Sequence, residues 1–144
     1  MLYRYFETPI VIARKASKQS GSFAVLATEE PSGPQRQVLL MTGRQGRDRI
    51  PLVMGDDSTV ANIVGSVLVR AQENRLVGIV GFATDDQAQA VRERYFAGEL
   101  TLNLVTKPVA GIELHEGETF SGVAGPATVL TQWEPLQCVL DTPP

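Results

Sequence analysis

Three kinds of chemistry are conceivable from the side chains of this sequence: a nucleophile with its base, a metal cluster, and a loop that grips an anion. The only histidine, His115, lies in Glu113-Leu114-His115-Glu116-Gly117. As a general base it would need a hydroxyl such as Ser121 or Ser66 within hydrogen-bond reach. Its acidic neighbours and the following glycine predict an exposed turn instead, and a solvated histidine is the weightier reading. The only cysteine, Cys138, is a nucleophile by type, but it follows Trp133 in an apolar run, which predicts an inert buried thiol. Asp56-Asp57 could face a divalent cation, yet no further carboxylates converge on it in sequence, so an acidic turn is the stronger reading. Gly43-Arg44-Gln45-Gly46-Arg47 could hold a phosphate or an acidic surface, and a solvated loop outweighs that.

Composition narrows these choices. The 144 residues, 43% of them hydrophobic, fill one ordinary core, so a single domain over 1–144 is expected. A formal net charge of −3 supplies no basic field for a phosphate backbone, which disfavours nucleic acid as a partner. One cysteine cannot form an intrachain disulfide, and Cys and His do not cluster at metal-ligand spacing, so neither a metal nor a cofactor is expected. The N-terminal residues do not resemble a signal peptide, and no apolar run reaches membrane-spanning length, so synthesis in the cytoplasm without membrane association is expected.

The elements that would position these residues are mostly strands. Short apolar runs rich in β-branched and aromatic residues, bounded by Gly, Pro, Asn and Asp, predict strands at 8–13, 22–28, 37–42, 49–54, 63–71, 76–83, 101–106, 111–114 and 129–140. Glu73-Asn74 reads as a hairpin connection, and 16–21 and 30–34 read as exposed loops. One helix breaks the pattern. Thr84-Asp85-Asp86-Gln87 fits a capping box headed by Thr84; Ala88, Val91 and Tyr95 follow at helical spacing, and Gly98 sits where the chain must leave the helix. A short helical turn is expected within 59–64. The N-terminal arm, 1–13, carries Leu2, Tyr3, Tyr5, Phe6, Ile10 and Ile12, which predicts burial against the domain or against a neighbouring subunit.

The order of several segments resembles the prohead (capsid maturation) proteases of tailed bacteriophages, from about Ser22 to the last residue. Ala27-Thr28-Glu29-Glu30-Pro31 and Gln37-Val38-Leu39-Leu40 are similar to the early strands of that family. Ile50-Pro51-Leu52-Val53-Met54-Gly55-Asp56 resembles the strand that runs into its His-Asp pair, and Ile63-Val64-Gly65-Ser66-Val67 resembles the strand that follows. The segment 75–82, the helix and Gly98 are similar to what precedes its nucleophile strand. Trp133-Glu134-Pro135-Leu136-Gln137-Cys138-Val139-Leu140 is similar to its tryptophan-containing ending and is the most specific segment.

The resemblance implies an α+β, mostly β, small barrel-like domain with one main helix, on the fold shared with herpesvirus assemblin. It also implies a serine endoprotease in which a histidine activates the nucleophile and a third group orients the histidine. The matching positions do not carry those residues. The histidine position falls on Gly55, the serine on Asn103 or Leu104, and the acidic position on Gln137. The expectation is therefore a non-catalytic phage structural protein: a cement or decoration protein or head-assembly factor, made in the host cytoplasm and located in the virion. The major capsid protein would be its partner, with self-association, and Tyr3, Tyr5, Phe6 and Trp133 would be the interaction candidates. The alternatives are an active capsid maturation endoprotease with displaced residues, or the N-terminal part of a protease–capsid fusion.

Overall fold

The structure of the chain, a computed structural model, describes residues 2–6, 12–16, 18–33, 36–55 and 59–143. The strands in chain order are β1 (Leu2–Tyr5), β2 (Ile12–Lys15), β3 (Lys18–Ser20), β4 (Phe23–Thr28), β5 (Gln37–Leu39), β6 (Arg49–Met54), β7 (Ile63–Gln72) and β8 (Arg75–Phe82). The helix α1 (Asp86–Phe96) follows, then β9 (Thr101–Leu114), β10 (Thr119–Phe120), β11 (Val123–Ala124) and β12 (Ala127–Asp141). Short 3₁₀ turns occupy Met41–Gly43 and Val60–Asn62. With 59% strand and 13% helix, the fold is mostly β with one α-helix and a curled half-barrel sheet.

Ten strands form the main sheet, in the order β1-β9-β12-β6-β7-β8-β4-β3, with β2 also on β9 and β5 also on β12. The long antiparallel pair β9–β12 is its spine. One edge of β9 is followed by two N-terminal strands in turn: β1 opposite Ala110–Glu113 and β2 opposite Asn103–Thr106. One edge of β12 takes β5 and then β6, both parallel to it. Because β2 lies on β9 while β3, two residues further along, lies on β4, the N-terminal segment bridges the two ends of the curled sheet. The Ala16 amide adds a bond to the Leu102 carbonyl at 2.8 Å across that seam.

Inside the curl, alternate residues of each strand meet in one core. Leu26, Leu52, Val67, Leu76, Leu102, Leu104, Leu130, Trp133, Cys138 and Leu140 all belong to it. Packing is tight enough that Gly78 has no room for a side chain: a Cβ there would stand 2.7 Å from Val67 Cγ1 and 2.9 Å from Leu26 Cδ1. Beyond the curl, the far ends of β9 and β12 continue as an extension with β1 and β5. A second small core, Val38, Ile112, Leu114 and Val129, lies there, with Leu40, Phe120 and Val123 packed against it.

Helix α1 buries Ala88, Val91 and Tyr95 and stacks Tyr95 and Phe96 on Phe82, with ring centroids 5.7 and 6.2 Å away. Its N-cap is Asp85, whose carboxylate accepts from the Ala88 amide at 2.9 Å, not Thr84 as the capping-box pattern predicts. Gln87 reaches to the Ala61 carbonyl rather than back to the cap. Gly98 has φ +78°, the left-handed conformation expected of the residue that ends the helix.

Three other expectations need correction. The polar stretch 16–21 contains the short strand β3. The run 37–42 leaves the strand at Leu39 and turns at Met41–Gly43, where the Glu29 carboxylate accepts from the Met41 amide at 2.8 Å. The predicted strands 101–106 and 111–114 are one continuous strand, β9, that carries Pro108. Of the predicted strand 8–13, residues 12 and 13 belong to β2, and residues 8–11 lie outside the described residues. The Glu73-Asn74 hairpin joins β7 and β8 as expected, with Glu73 at φ +56°.

Candidate functional site

The three strands β6, β12 and β9 bring the positions matched by the resemblance to one region. Across them Val53, Val139 and Asn103 lie opposite one another, and Lys15 of β2 continues the row beyond Asn103. Gly55 comes two residues after Val53, and its amide donates to the Leu140 carbonyl at 2.9 Å. Gly55, just past the end of β6, and Asn103 on β9 therefore lie on the two sides of β12, about 12 Å apart once the two-residue offset along the strands is included. Leu104 faces the opposite way: it is fully buried in the core, opposite Cys138. Gln137 pairs with Val105 beside the register shift that follows Pro135.

The polar atoms of this region are engaged with each other. The Asn103 side-chain amide donates to an Asp141 carboxylate oxygen at 3.4 Å, and the Thr101 hydroxyl donates to the Asp141 carbonyl at 3.1 Å. Val53, Val105 and Val139 form a buried apolar patch between them. The arrangement offers an amide, a glycine and a hydroxyl already committed to a backbone carbonyl. Hydrolysis by a serine mechanism needs a base in contact with a free hydroxyl, and neither Gly55 nor Asn103 supplies one.

No family model, characterised protein or solved structure matched the chain in any of three comparisons. The reading of this site rests on its own residues and on the resemblance of the quoted segments.

The remaining candidates are dispersed. His115 is exposed at the end of β9, where Nδ1 lies 3.0 Å from Glu118 Oε1 and the same carboxylate oxygen accepts from the His115 amide at 2.7 Å. Neither proposed partner is brought to it. Ser121 forms the turn between β10 and β11, and the Ser66 hydroxyl accepts from Arg49 Nη1 at 3.1 Å on β7. Cys138 is fully buried, and burial pushes its thiol up to about 12, so it stays protonated through the neutral range. Arg44 is held by its own loop, donating to the Arg47 carbonyl at 3.2 Å and pairing with Asp48 at 2.9 Å. Asp56 and Asp57 lie outside the described residues. Among the described residues, no group of three or more His, Cys, Asp or Glu side chains is placed to hold a metal ion, and no helix is long and apolar enough to cross a membrane.

The interaction candidates divide in two. Tyr3 and Tyr5 project from β1 at 69% and 75% exposure, with Leu2 at 54%, so these arm residues are not buried against their own domain. Phe6 is half-buried against the main core. Trp133, by contrast, is fully buried and donates from Nε1 to the Leu40 carbonyl at 2.8 Å, which makes it a core anchor and not a contact surface. Ile10 lies outside the described residues.

Sequence reasoning passed over Arg14. In β2 it stands opposite Leu104, so it points into the curled sheet rather than out to solvent. The signal available was a basic residue at an inward position of a strand, and that becomes visible only once the register is known.

Proposed function

We propose that this chain is a non-catalytic structural protein of the tailed-bacteriophage head, a cement, decoration or head-assembly factor that binds the major capsid protein. It does so on a degenerate fold of the prohead-protease and assemblin type. The observation that carries this reading is the pairing of positions around β12. Gly55 and Asn103 are distant in sequence yet come to the two sides of β12, in one region of the sheet, and neither carries a side chain able to act as a base or a nucleophile. Leu104, the alternative nucleophile position, is fully buried.

Binding requires no triad, and the opposite end of the spine has the features of a contact surface. β1 is the outermost strand of the sheet, its outer edge meets no other strand among the described residues, and it presents two exposed tyrosines. An edge strand of this kind adds to a neighbour's sheet through its main-chain groups while aromatic side chains supply anchoring area. The same edge would serve self-association within a head lattice.

The test is the copy number of the protein in purified mature virions, by quantitative mass spectrometry, together with a cleavage assay on the capsid protein. Abundance comparable to the capsid protein without cleavage is the expected result. Absence from mature particles combined with specific cleavage would overturn the reading.

A further inference from the structure

A cavity of about 170 Å³ opens where the N-terminal bridge meets β4, and Arg14, Lys15, Leu26, Thr28, Glu30 and Ser32 are among its lining residues. We propose that this cavity is a carboxylate-binding site in which the Arg14 guanidinium is the recognition group. It goes beyond the capsid reading and does not depend on it.

The first argument is the state of Arg14. Its Nε is buried and has no hydrogen-bond partner, and among the described residues no hydrogen bond or ion pair of its side chain is formed. The residue as a whole is only partly buried, so the cost falls on this Nε–H, a charged donor out of water with no acceptor. Burial also depresses the pKa of Arg14, in keeping with a cation that has lost part of its solvent without gaining a counter-charge. Among the described lining residues Glu30 is the only carboxylate. It is exposed and does not pair with Arg14.

The second argument is geometry. Arg14 projects inward, on the same face as Leu104, while Lys15 lies next to it along the seam. The Thr28 hydroxyl accepts from the Glu30 amide at 3.4 Å and so keeps its own proton to donate, and the Ser32 side chain adds a second hydroxyl. Leu26 gives the cavity an apolar wall. A guanidinium edge offers two parallel donors that match the two oxygens of a carboxylate. Glu30 at the rim opposes the second negative charge of a phosphate more than the single charge of a carboxylate. The volume, about that of five or six waters, suits the end of an acidic side chain or a small free acid.

Two sources share this chemistry, and the experiment separates them. Titrations of the isotope-labelled chain, followed through the Arg Nε–H resonances, would use sodium acetate, glutarate, the peptide acetyl-Gly-Glu-Gly-amide, its Gln counterpart, and inorganic phosphate. Saturable binding by acetate or glutarate indicates a free acid, and binding by the Glu peptide alone indicates an acidic side chain of another protein; both support the proposal. In either case Arg14→Met and Arg14→Lys should weaken binding about tenfold or more, the worth of a charge-assisted hydrogen bond, while Glu30→Gln should leave it intact or tighten it. Arg14→Lys keeps the charge should Arg14→Met fail to fold. The wild-type Nε–H shift reads the site without any variant. No response to any carboxylate, equal binding by the Gln peptide, or phosphate binding at least as tightly would overturn the proposal.

Discussion

The two ends of the β9–β12 spine are built on different terms. At the curled end, strands surround a continuous core that includes Trp133, Leu104 and Cys138, all fully buried, and the N-terminal bridge joins the margins of the sheet. At the extended end, four buried residues form a small separate core, and β1 leaves Tyr3 and Tyr5 open to solvent. The positions matched by the resemblance, Gly55, Asn103, Leu104 and Gln137, lie at the curled end, where Leu104 and Cys138 are given over to packing. The exposed aromatic surface lies at the extended end, where the chain has least internal support. A protein that holds a partner by an edge needs a rigid body behind an edge left open, and this division supplies both.

Breaking the curled end should cost most. Trp133→Ala removes the largest buried side chain and one of the two donors to the Leu40 carbonyl, the Gly43 amide remaining, so a loss of about 3–5 kcal/mol in denaturant unfolding is expected. The dryness of the same core is read by pH. The Cys138 thiol is raised to about 12 from 9.0 by burial, so its protonated form stabilises the fold fully below pH 9. That contribution should fall as pH rises toward 12, by something on the order of 4 kcal/mol across that window. Cys138→Ala should lack this component, and the difference between the two stability–pH curves isolates it from other titrating groups.

Smaller effects sharpen the contrast. Asp85→Ala deletes the N-cap of α1 and should lower stability by about 1 kcal/mol, measured by thermal or urea unfolding. The double substitution Tyr3→Ser, Tyr5→Ser should change monomer stability by no more than about 0.5 kcal/mol, because both side chains are already solvated. The same variant should lose self-association or capsid association in sedimentation. A large loss of monomer stability would mean that the extended end is part of the structural core after all.

Much of the curled end was legible in the sequence because its signals are local. β6 has the predicted bounds, the β7–β8 hairpin turns at Glu73-Asn74, and Ala88, Val91 and Tyr95 face inward from α1 at helical spacing. The sequence predicts two strands over β9 because Lys107-Pro108 interrupts its apolar pattern. In the fold, Pro108 lies opposite Trp133, where β12 itself shifts register, and the ladder tolerates it. β3 is three polar residues with no alternation to read, and it becomes a strand only because β4 offers a partner. The helix cap is Asp85 and not Thr84: both are good N-cap types, only Thr84 has a Gln three residues on, and that Gln87 bonds to the Ala61 carbonyl instead of closing the capping box.

The candidate site was less legible. That Gly55 and Asn103 flank one strand follows from the parallel pairing of β6 with β12, a long-range register that no local pattern encodes. Arg14 was invisible for the same reason, since a basic residue in a short strand reads as solvent-facing until its partner Leu104 is known to face the core.

The central claim is that the chain holds capsid protein without cutting it. Purified chain mixed with purified capsid shells, sedimented, and followed by intact-mass measurement of the capsid protein tests this directly. Saturable co-sedimentation with an unchanged capsid-protein mass is the predicted result. A defined cleavage product, or no co-sedimentation at saturating protein, would contradict it.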